Sequence, residues 1–350
     1  MVTKIGINGF GRIGRMCLRA ALQNKEIQVV AVNSTSNAEA SAHLLKYDSI
    51  HGRLQNAMEV TENEILIDGR PIKIISDRNP ANLQWGKLGV DIVIEATGKF
   101  NSGKECAIHL ENGAKKVIIS APAKDSVPTI VMGVNEAIYN PEIHHVVSNA
   151  SCTTNCLAPV VKVIHDNFGI VNGLMTTIHA FTTDQRSLDN SHPDPRRSRS
   201  CVQSIVPTST GAAKAIGLVI PELKGKLNGV SVRVPVPNVS LVDLAVELEQ
   251  DVTVEKINST FRIAAQNAMH GIIEYCDKPL VSIDFLGNSH SAIIDALTTL
   301  TVGKRTVKIL AWYDNEWGYS CRLIDLAIYM GNTLVAEQRE EATKDIIEII

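Results

Sequence analysis

The first half of the chain alternates short apolar runs with segments of helical spacing. "KIGING" reads as a strand, "RIGRMCLRAALQN" as a helix and "IQVVAVN" as a second strand. "VDIVIEATG" and "KKVIIS" supply two more strands, with the helical "GKECAIHLENG" between them. Strands separated by helices predict parallel βαβ units with helices on both faces of a sheet. From about Thr177 the texture changes. "SVRVPVPNVSLVDLAVELE", "LVSIDF" and "TVKILAWYD" are longer alternating runs. They predict an antiparallel sheet with one face on a helix layer. "CRLIDLAIYMGNTLV" reads as a closing helix, and the tail "EQREEATKDIIEII" is charged, then apolar, either helical or frayed.

A length of 350 residues exceeds what one hydrophobic core usually organises, so two domains are expected. Hydrophobic residues at 45% and charged residues at 20% suit a water-soluble globular chain. A net charge of −3 gives no pull toward nucleic acid or membrane. The start "MVTKIGINGFGRIG" lacks the basic head and apolar core of a signal peptide. No apolar run approaches the roughly 18 residues that a spanning helix needs. Seven cysteines, odd in number and scattered, fit reduced thiols in a cytoplasm better than a disulfide framework.

Gly9, Gly11 and Gly14 form G-x-G-x-x-G between the first strand and the first helix. That context marks a dinucleotide site. The first glycine makes the turn, the second lets backbone approach a pyrophosphate, and the third lets helix pack on strand. Helix amides then hold the phosphates. An acidic residue is expected at the end of the second strand, on the adenosine ribose. Ser34 stands there instead, and no acid follows until Glu39. A serine does not repel a 2′-phosphate, so the site is expected to accept NADP, either tolerating or preferring it; the alternative is a weaker contact to NAD.

The segment "NASCTTNC" places Cys152 and Cys156 four residues apart. Structural zinc wants four ligands, and no second pair exists. A disulfide at that spacing would be strained. A nucleophile fits better. Ser151 or Asn149 can cap a helix running from Thr153, which puts Cys152 at the positive end of the dipole and favours thiolate. Cys156, one turn on, reads as a packing thiol. His179, in "MTTIHAFTTDQ", is the partner a thiol nucleophile wants; a lone strand histidine is otherwise more often structural.

"INGFGRIGR", "HLLKYDSIHG", "SNASCTTNCLAP", "HAFTTDQ", "PTSTGAAKAIG", "RVPVPNVSLVDL" and "WYDNEWGYS" together resemble phosphorylating glyceraldehyde-3-phosphate dehydrogenases, from about residue 3 to residue 330. The resemblance implies an α/β chain: an N-terminal Rossmann dinucleotide-binding domain and an α+β catalytic domain with a mixed or antiparallel sheet. The expected bounds are 1–151 with 315–350 for the cofactor domain and 152–314 for the catalytic domain. It implies Cys152 as nucleophile and His179 as the base that activates it. Glyceraldehyde 3-phosphate is then oxidised through a hemithioacetal and a thioester, which inorganic phosphate releases as an acyl phosphate.

By the same resemblance, Ser151, Thr153, Thr210 and Gly211 lie near the attacking phosphate. Thr182, Asp184 and Arg233 lie near the substrate phosphate, Asp184 by orienting Arg233. Arg197, in the loop "RSLDNSHPDPRRSRS", reaches a phosphate or sits in a solvated basic turn. The residues "TST" also suit a helix cap. Arg12 and Ile13 offer backbone to NAD or NADP, Asn33 and Ser34 meet the adenosine end, and Arg78, Thr97 and Ser120 line the pocket. Asn315 holds the nicotinamide carboxamide, with Tyr319 nearby. Asn190 and Ser191 replace the Leu-Pro common in NAD-using relatives and leave room for a 2′-phosphate on a neighbouring subunit's cofactor. That pattern resembles the biosynthetic, NADP-using branch. The family implies a cytoplasmic homotetramer, with no metal, membrane or nucleic acid. Two rivals stand beside this reading. Erythrose-4-phosphate dehydrogenase shares the scaffold but typically departs from the histidine and "STGAAKA" motifs kept here. A non-catalytic binding protein could share the fold.

Overall fold

A computed structural model describes the backbone of residues 2–349 and the side chains of residues 2–334. The side chains of the tail "EQREEATKDIIEII" lie outside the described residues. The chain forms two compact units, Met1–Ile130 with Ala137–Asn149 and Ser320–Ile350, and Val131–Glu136 with Ala150–Tyr319.

In the first unit the chain runs β1 (Thr3–Asn8), α1 (Arg12–Ala21), β2 (Ile27–Asn33), α2 (Ala38–Lys46), β3 (Tyr47–Asp48) and β4 (Gly52–Arg53). It continues through β5 (Met58–Val60), β6 (Glu64–Ile67), β7 (Arg70–Ile75), β8 (Ile92–Glu95), α3 (Gly103–Glu111), β9 (Lys116–Ile119) and β10 (Val146–Ser148). The main sheet has the order β10-β9-β8-β1-β2-β7-β6-β5. From β10 to β7 all pairs are parallel, and β5, β6 and β7 pair antiparallel. The parallel half is the expected βαβ arrangement; the antiparallel edge departs from it. Its β6–β7 hairpin turns on Asp68 (φ 49°) and Gly69 (φ 76°), the left-handed pair that a tight hairpin requires. Strand order reverses around β1, with β8 on one side and β2 on the other. A ligand crevice belongs at the carboxyl ends of such strands, where Asn8 pairs in register with Glu95.

The second unit holds α4 (Cys152–Phe168), β11 (Ile170–Ala180), β12 (Val206–Ser209), α5 (Ala212–Val219), β13 (Leu227–Val234), β14 (Ser240–Leu248) and α6 (Val254–Gln266). β15 (Ile273–Cys276), β16 (Ala292–Asp295), β17 (Leu300–Val302) and β18 (Thr306–Tyr313) follow, and α7 (Trp317–Ile349), which belongs to the first unit from Ser320 on, closes the chain. The sheet order is β12-β13-β11-β14-β18-β16-β15, with β17 on β18. It is mixed, because β11–β13 and β15–β16 are parallel and the other pairs antiparallel. Along β14, Val242, Leu244, Val246 and Leu248 are buried and the residues between them are not. That two-residue period turns one face onto the helices, where Leu157, Ile164, Ile216 and Phe261 complete the core. Burial of each such side chain stabilises the fold by about 1.5–3 kcal/mol.

Candidate active site

Ser151 ends an extended approach (φ −106°, ψ 165°) and caps α4, its Oγ accepting the Thr154 N–H at 3.1 Å. The helix starts at Cys152, one residue earlier than the sequence suggested. Gly169, at φ 65°, ends it, and the chain returns as β11. Parallel pairing of β11 with β13 sets His179 beside Arg233. These two elements bring Cys152 Sγ to 3.4 Å from His179 Nε2. Cys156 is buried, its sulfur 3.8 Å from the Ala311 carbonyl.

On the far side of the ring, His179 Nδ1 lies 2.6 Å from the Ala180 carbonyl and 2.7 Å from Arg233 Nη1. Arg233 Nη1 also donates to the Ala180 carbonyl at 2.9 Å. Either neutral tautomer therefore finds a partner. With Nδ1–H donating to Ala180, Nε2 is bare and accepts a proton from sulfur. With Arg233 donating to Nδ1, Nε2 carries the proton and presents it toward the sulfur. Burial, and then the Arg233 charge, lower His179 to about 3, so the ring is neutral at ordinary pH.

The electrostatics of the thiol correct one expectation. Burial raises Cys152 above its ordinary value. The Arg233 charge and hydrogen bonds from Thr153 and the cysteine's own N–H pull it back only in part. The helix start helps the thiolate, but desolvation outweighs it.

Tyr313 packs in the core, and its hydroxyl joins the site. It lies 2.8 Å from both Thr153 Oγ1 and Thr177 Oγ1, and its ring meets His179 edge-on at 6.0 Å. The Thr153 hydroxyl is thus turned to Tyr313. Ser240, also missed, accepts the Ala180 N–H at 3.0 Å and donates to Asn315 Oδ1 at 2.7 Å. That contact leaves Nδ2 as the Asn315 donor. Tyr319 donates to the carbonyl of Ala150 at 2.9 Å. A hydroxyl on a buried strand was the only signal for Tyr313 and Ser240.

Asp184 meets Arg233 through its charge, and its hydrogen bonds go elsewhere. It pairs with Arg197 Nη1, and with His192 at 3.4 Å. Arg197 also reaches Thr208 Oγ1 at 3.0 Å and stands 3.7 Å from Asp194. Register explains the difference: Arg233 is held on β13 against His179, while Asp184 leaves β11 in the loop that carries Arg197. Thr182 lies in that loop, partly buried. Thr210 accepts the Ala212 N–H at 3.2 Å in a local turn, but the N-cap of α5 is Gly211, so none of the "TST" side chains caps the helix. Asn190 and Ser191 are exposed, Asn190 Oδ1 accepting the Ser191 N–H.

In the first unit a cavity of about 430 Å³ opens at the carboxyl ends of β1, β2 and β8. Gly9, Gly11, Asn33, Ser34, Arg78 and Thr97 are among its lining. Gly9 has φ 99°, and a Cβ at Gly14 would stand 2.1 Å from the Gly9 carbonyl oxygen. A Cβ at Gly11 would meet nothing within 4 Å. That open cradle at a helix start fits a pyrophosphate. Ser34 Oγ accepts the Ser36 N–H at 3.1 Å and lies 3.1 Å from Ser41 Oγ. The Arg12 side chain is bound to Asp48, and Ile13 follows it in the first turn of α1. Ser120 follows β9, its N–H on the Glu95 carbonyl at 3.0 Å. No cluster of metal-ligating side chains occurs among the described residues, and none of their helices is long and apolar enough to cross a membrane.

Comparison with known proteins agrees with both units. Residues 3–103 match the family model for the NAD binding domain of glyceraldehyde 3-phosphate dehydrogenase, and residues 151–315 the model for its C-terminal domain. The glyceraldehyde-3-phosphate dehydrogenase of Geobacillus stearothermophilus is 57% identical over 95% of this chain and 99% of its own length. The Bacillus subtilis protein named glyceraldehyde-3-phosphate dehydrogenase 2 is 56% identical over 93% and 96%. A Streptomyces coelicolor glyceraldehyde-3-phosphate dehydrogenase is 54% identical over 95% and 100%. With both domain models matched and more than half the residues shared across nearly the whole chain, this protein belongs to the glyceraldehyde-3-phosphate dehydrogenase family.

Proposed function

We propose that this chain oxidises glyceraldehyde 3-phosphate to 1,3-bisphosphoglycerate, using NAD and inorganic phosphate. The observation that carries this reading is the Cys152–His179 contact of 3.4 Å, backed by Arg233. His179 Nε2 takes the thiol proton as Sγ bonds to the aldehyde carbon, and gives a proton to the oxygen of the hemithioacetal. In the next step Nε2 removes that hydroxyl proton while the carbon gives up its hydride. The bound nicotinamide supplies the acceptor for that hydride. A thioester on Cys152 remains. A phosphate oxygen attacks its carbonyl, the C–S bond breaks, and the acyl phosphate leaves a free thiol. Sulfur suits this sequence because the thioester stays activated toward phosphate.

Arg233 and Thr182 bind the substrate phosphate. The amides at the start of α4, with Ser151, Thr153, Thr210 and Gly211, form the site for the attacking phosphate. Arg197 is balanced by Asp184 and acts as a second anchor that an incoming anion can recruit. Asn315 offers Nδ2 to the carboxamide carbonyl. We assign cofactor binding to residues 1–151 and 315–350 and catalysis to 152–314. Cys152→Ser tests the nucleophile directly: full dehydrogenase activity in that variant would refute it.

A finer reading concerns the cofactor. Ser34 puts no carboxylate at the ribose end, and Asn190 and Ser191 are small and polar; both features support use of NADP, and a preference for it. Parallel kcat/KM values decide, a large preference for NAD being the adverse result. Leu174, Ile205 and Val230 are apolar, exposed, and carried on β11 and β13 or at the entry to β12. This supports self-association into a homotetramer, which sedimentation measures. The scattered, odd-numbered cysteines suit a reducing cytoplasm.

A further inference from the structure

Glu95, at the end of β8, is a buried carboxyl ringed by hydrogen-bond partners; its residue is 1% exposed. Oε1 accepts the Thr97 N–H at 2.8 Å and the Thr97 hydroxyl. Oε2 accepts Asn8 Nδ2 at 2.5 Å and faces His109 Nε2 at 3.1 Å. The proton positions follow from a donor that cannot reverse. The Trp85 indole N–H donates to His109 Nδ1 at 3.0 Å, so the imidazole hydrogen is on Nε2, toward Glu95. These four partners around two oxygens replace the water that burial removes.

The relay continues. Asn8, having given Nδ2 to Glu95, turns Oδ1 to Asn33, whose Nδ2 donates to it at 2.7 Å. Asn33 Nδ2 also reaches the Asp77 carbonyl at 2.8 Å, and Asn33 Oδ1 accepts the Asp77 N–H at 3.1 Å. Every amide in this line has one allowed orientation. Asn8, Asn33, Asp77, Arg78 and Thr97 line the dinucleotide cavity; Glu95, His109 and Trp85 do not.

We propose that Glu95 is a positioning residue for the dinucleotide. One buried carboxyl orients Thr97, just beyond β8, and, through Asn8, Asn33 at the end of β2 with Asp77 just beyond β7, so that the cavity is set before the cofactor arrives. The inference rests on reading that cavity as the NAD site. An amide at position 95 could not do the same, because its NH2 would face either Thr97 or the Asn8–His109 pair, donor against donor.

The test is calorimetric titration of NAD into the full-length chain and into Glu95→Gln, with steady-state kinetics and an unfolding midpoint for each. Glu95→Gln is expected to bind NAD about tenfold more weakly, the loss of roughly one charged hydrogen bond. Its KM for NAD rises in step, while kcat at saturating NAD and the KM for phosphate stay near wild type. His109→Leu, which removes one donor without touching the cavity, covers the case in which Glu95→Gln does not fold; it should weaken NAD about threefold on the same scale. Unchanged NAD affinity in the folded variant, or a loss of kcat with affinity intact, overturns the proposal. Failure of the wild-type chain to bind either NAD or NADP overturns the cavity assignment itself.

Discussion

Arg233 Nη1 lies 2.7 Å from His179 Nδ1, on the side of the imidazole away from the Cys152 sulfur. A permanent cation there does two things. It helps keep the ring neutral, adding to the effect of burial, and it is the largest influence stabilising the thiolate of Cys152. The strand register His179 with Arg233 is therefore an electrostatic device as much as a piece of sheet.

Replacing Arg233 by Gln removes the charge that pulls the Cys152 thiol down. The thiol, already raised by burial, rises further. Alkylation of Cys152 by iodoacetamide, without substrate or cofactor, should then follow a pH profile displaced to higher pH than wild type. A displacement to lower pH would contradict the assignment.

Two glycines of one loop should separate stability from binding. Gly14→Ala places a methyl against the Gly9 carbonyl oxygen and should lower the thermal midpoint by several degrees. Gly11→Ala meets no protein atom, so its midpoint should hold. The methyl fills the phosphate cradle instead, and NAD affinity should drop by about tenfold or more, as when a charged hydrogen bond is lost. Scanning calorimetry and NAD titration on both variants check this.

Asp48 is half of a partly buried ion pair with Arg12. Burial raises its carboxyl, but hydrogen bonds from Arg12 and from the His51 and Ile50 N–H groups outweigh that and hold it well below the usual carboxylate range. A lowered folded-state value means the stabilisation is complete above the unfolded-chain value of about 3.9 and is lost as pH falls below it. Asp48→Asn should therefore cost about 1–3 kcal/mol at pH 7 in urea denaturation. The difference from wild type should shrink progressively on acidification.

Tyr313→Phe leaves the Thr153 and Thr177 hydroxyls without their shared partner in a buried setting. A loss of about 1–3 kcal/mol in unfolding free energy is expected. An unchanged denaturation midpoint would show that the tyrosine only fills space.

Much of this was legible in the chain because it is local. The glycine spacing, the strand–helix alternation and the polar stretch before Cys152 each depend on neighbours in sequence. What stayed hidden depends on register. That Arg233 meets His179 is set by the parallel pairing of β11 with β13 across 54 residues of chain, and that Asp184 meets Arg197 is set by the path of the loop that carries both. The antiparallel edge had its signal in the Asp68–Gly69 pair, which went unread. The direction of the Cys152 shift could not be read from a helix start alone, because desolvation comes from residues distant in sequence. The Glu95 relay has no motif at all; it exists only because β8, β1 and β2 are neighbours.

The central claim is that an acyl group rests on one sulfur. Mixing the chain with glyceraldehyde 3-phosphate and NAD without phosphate, then quenching in acid for peptide mass mapping, tests it most directly. The account predicts a single acyl adduct, on Cys152, that disappears when phosphate is added before the quench. An adduct on another residue, or turnover with Cys152 unmodified throughout, would contradict it.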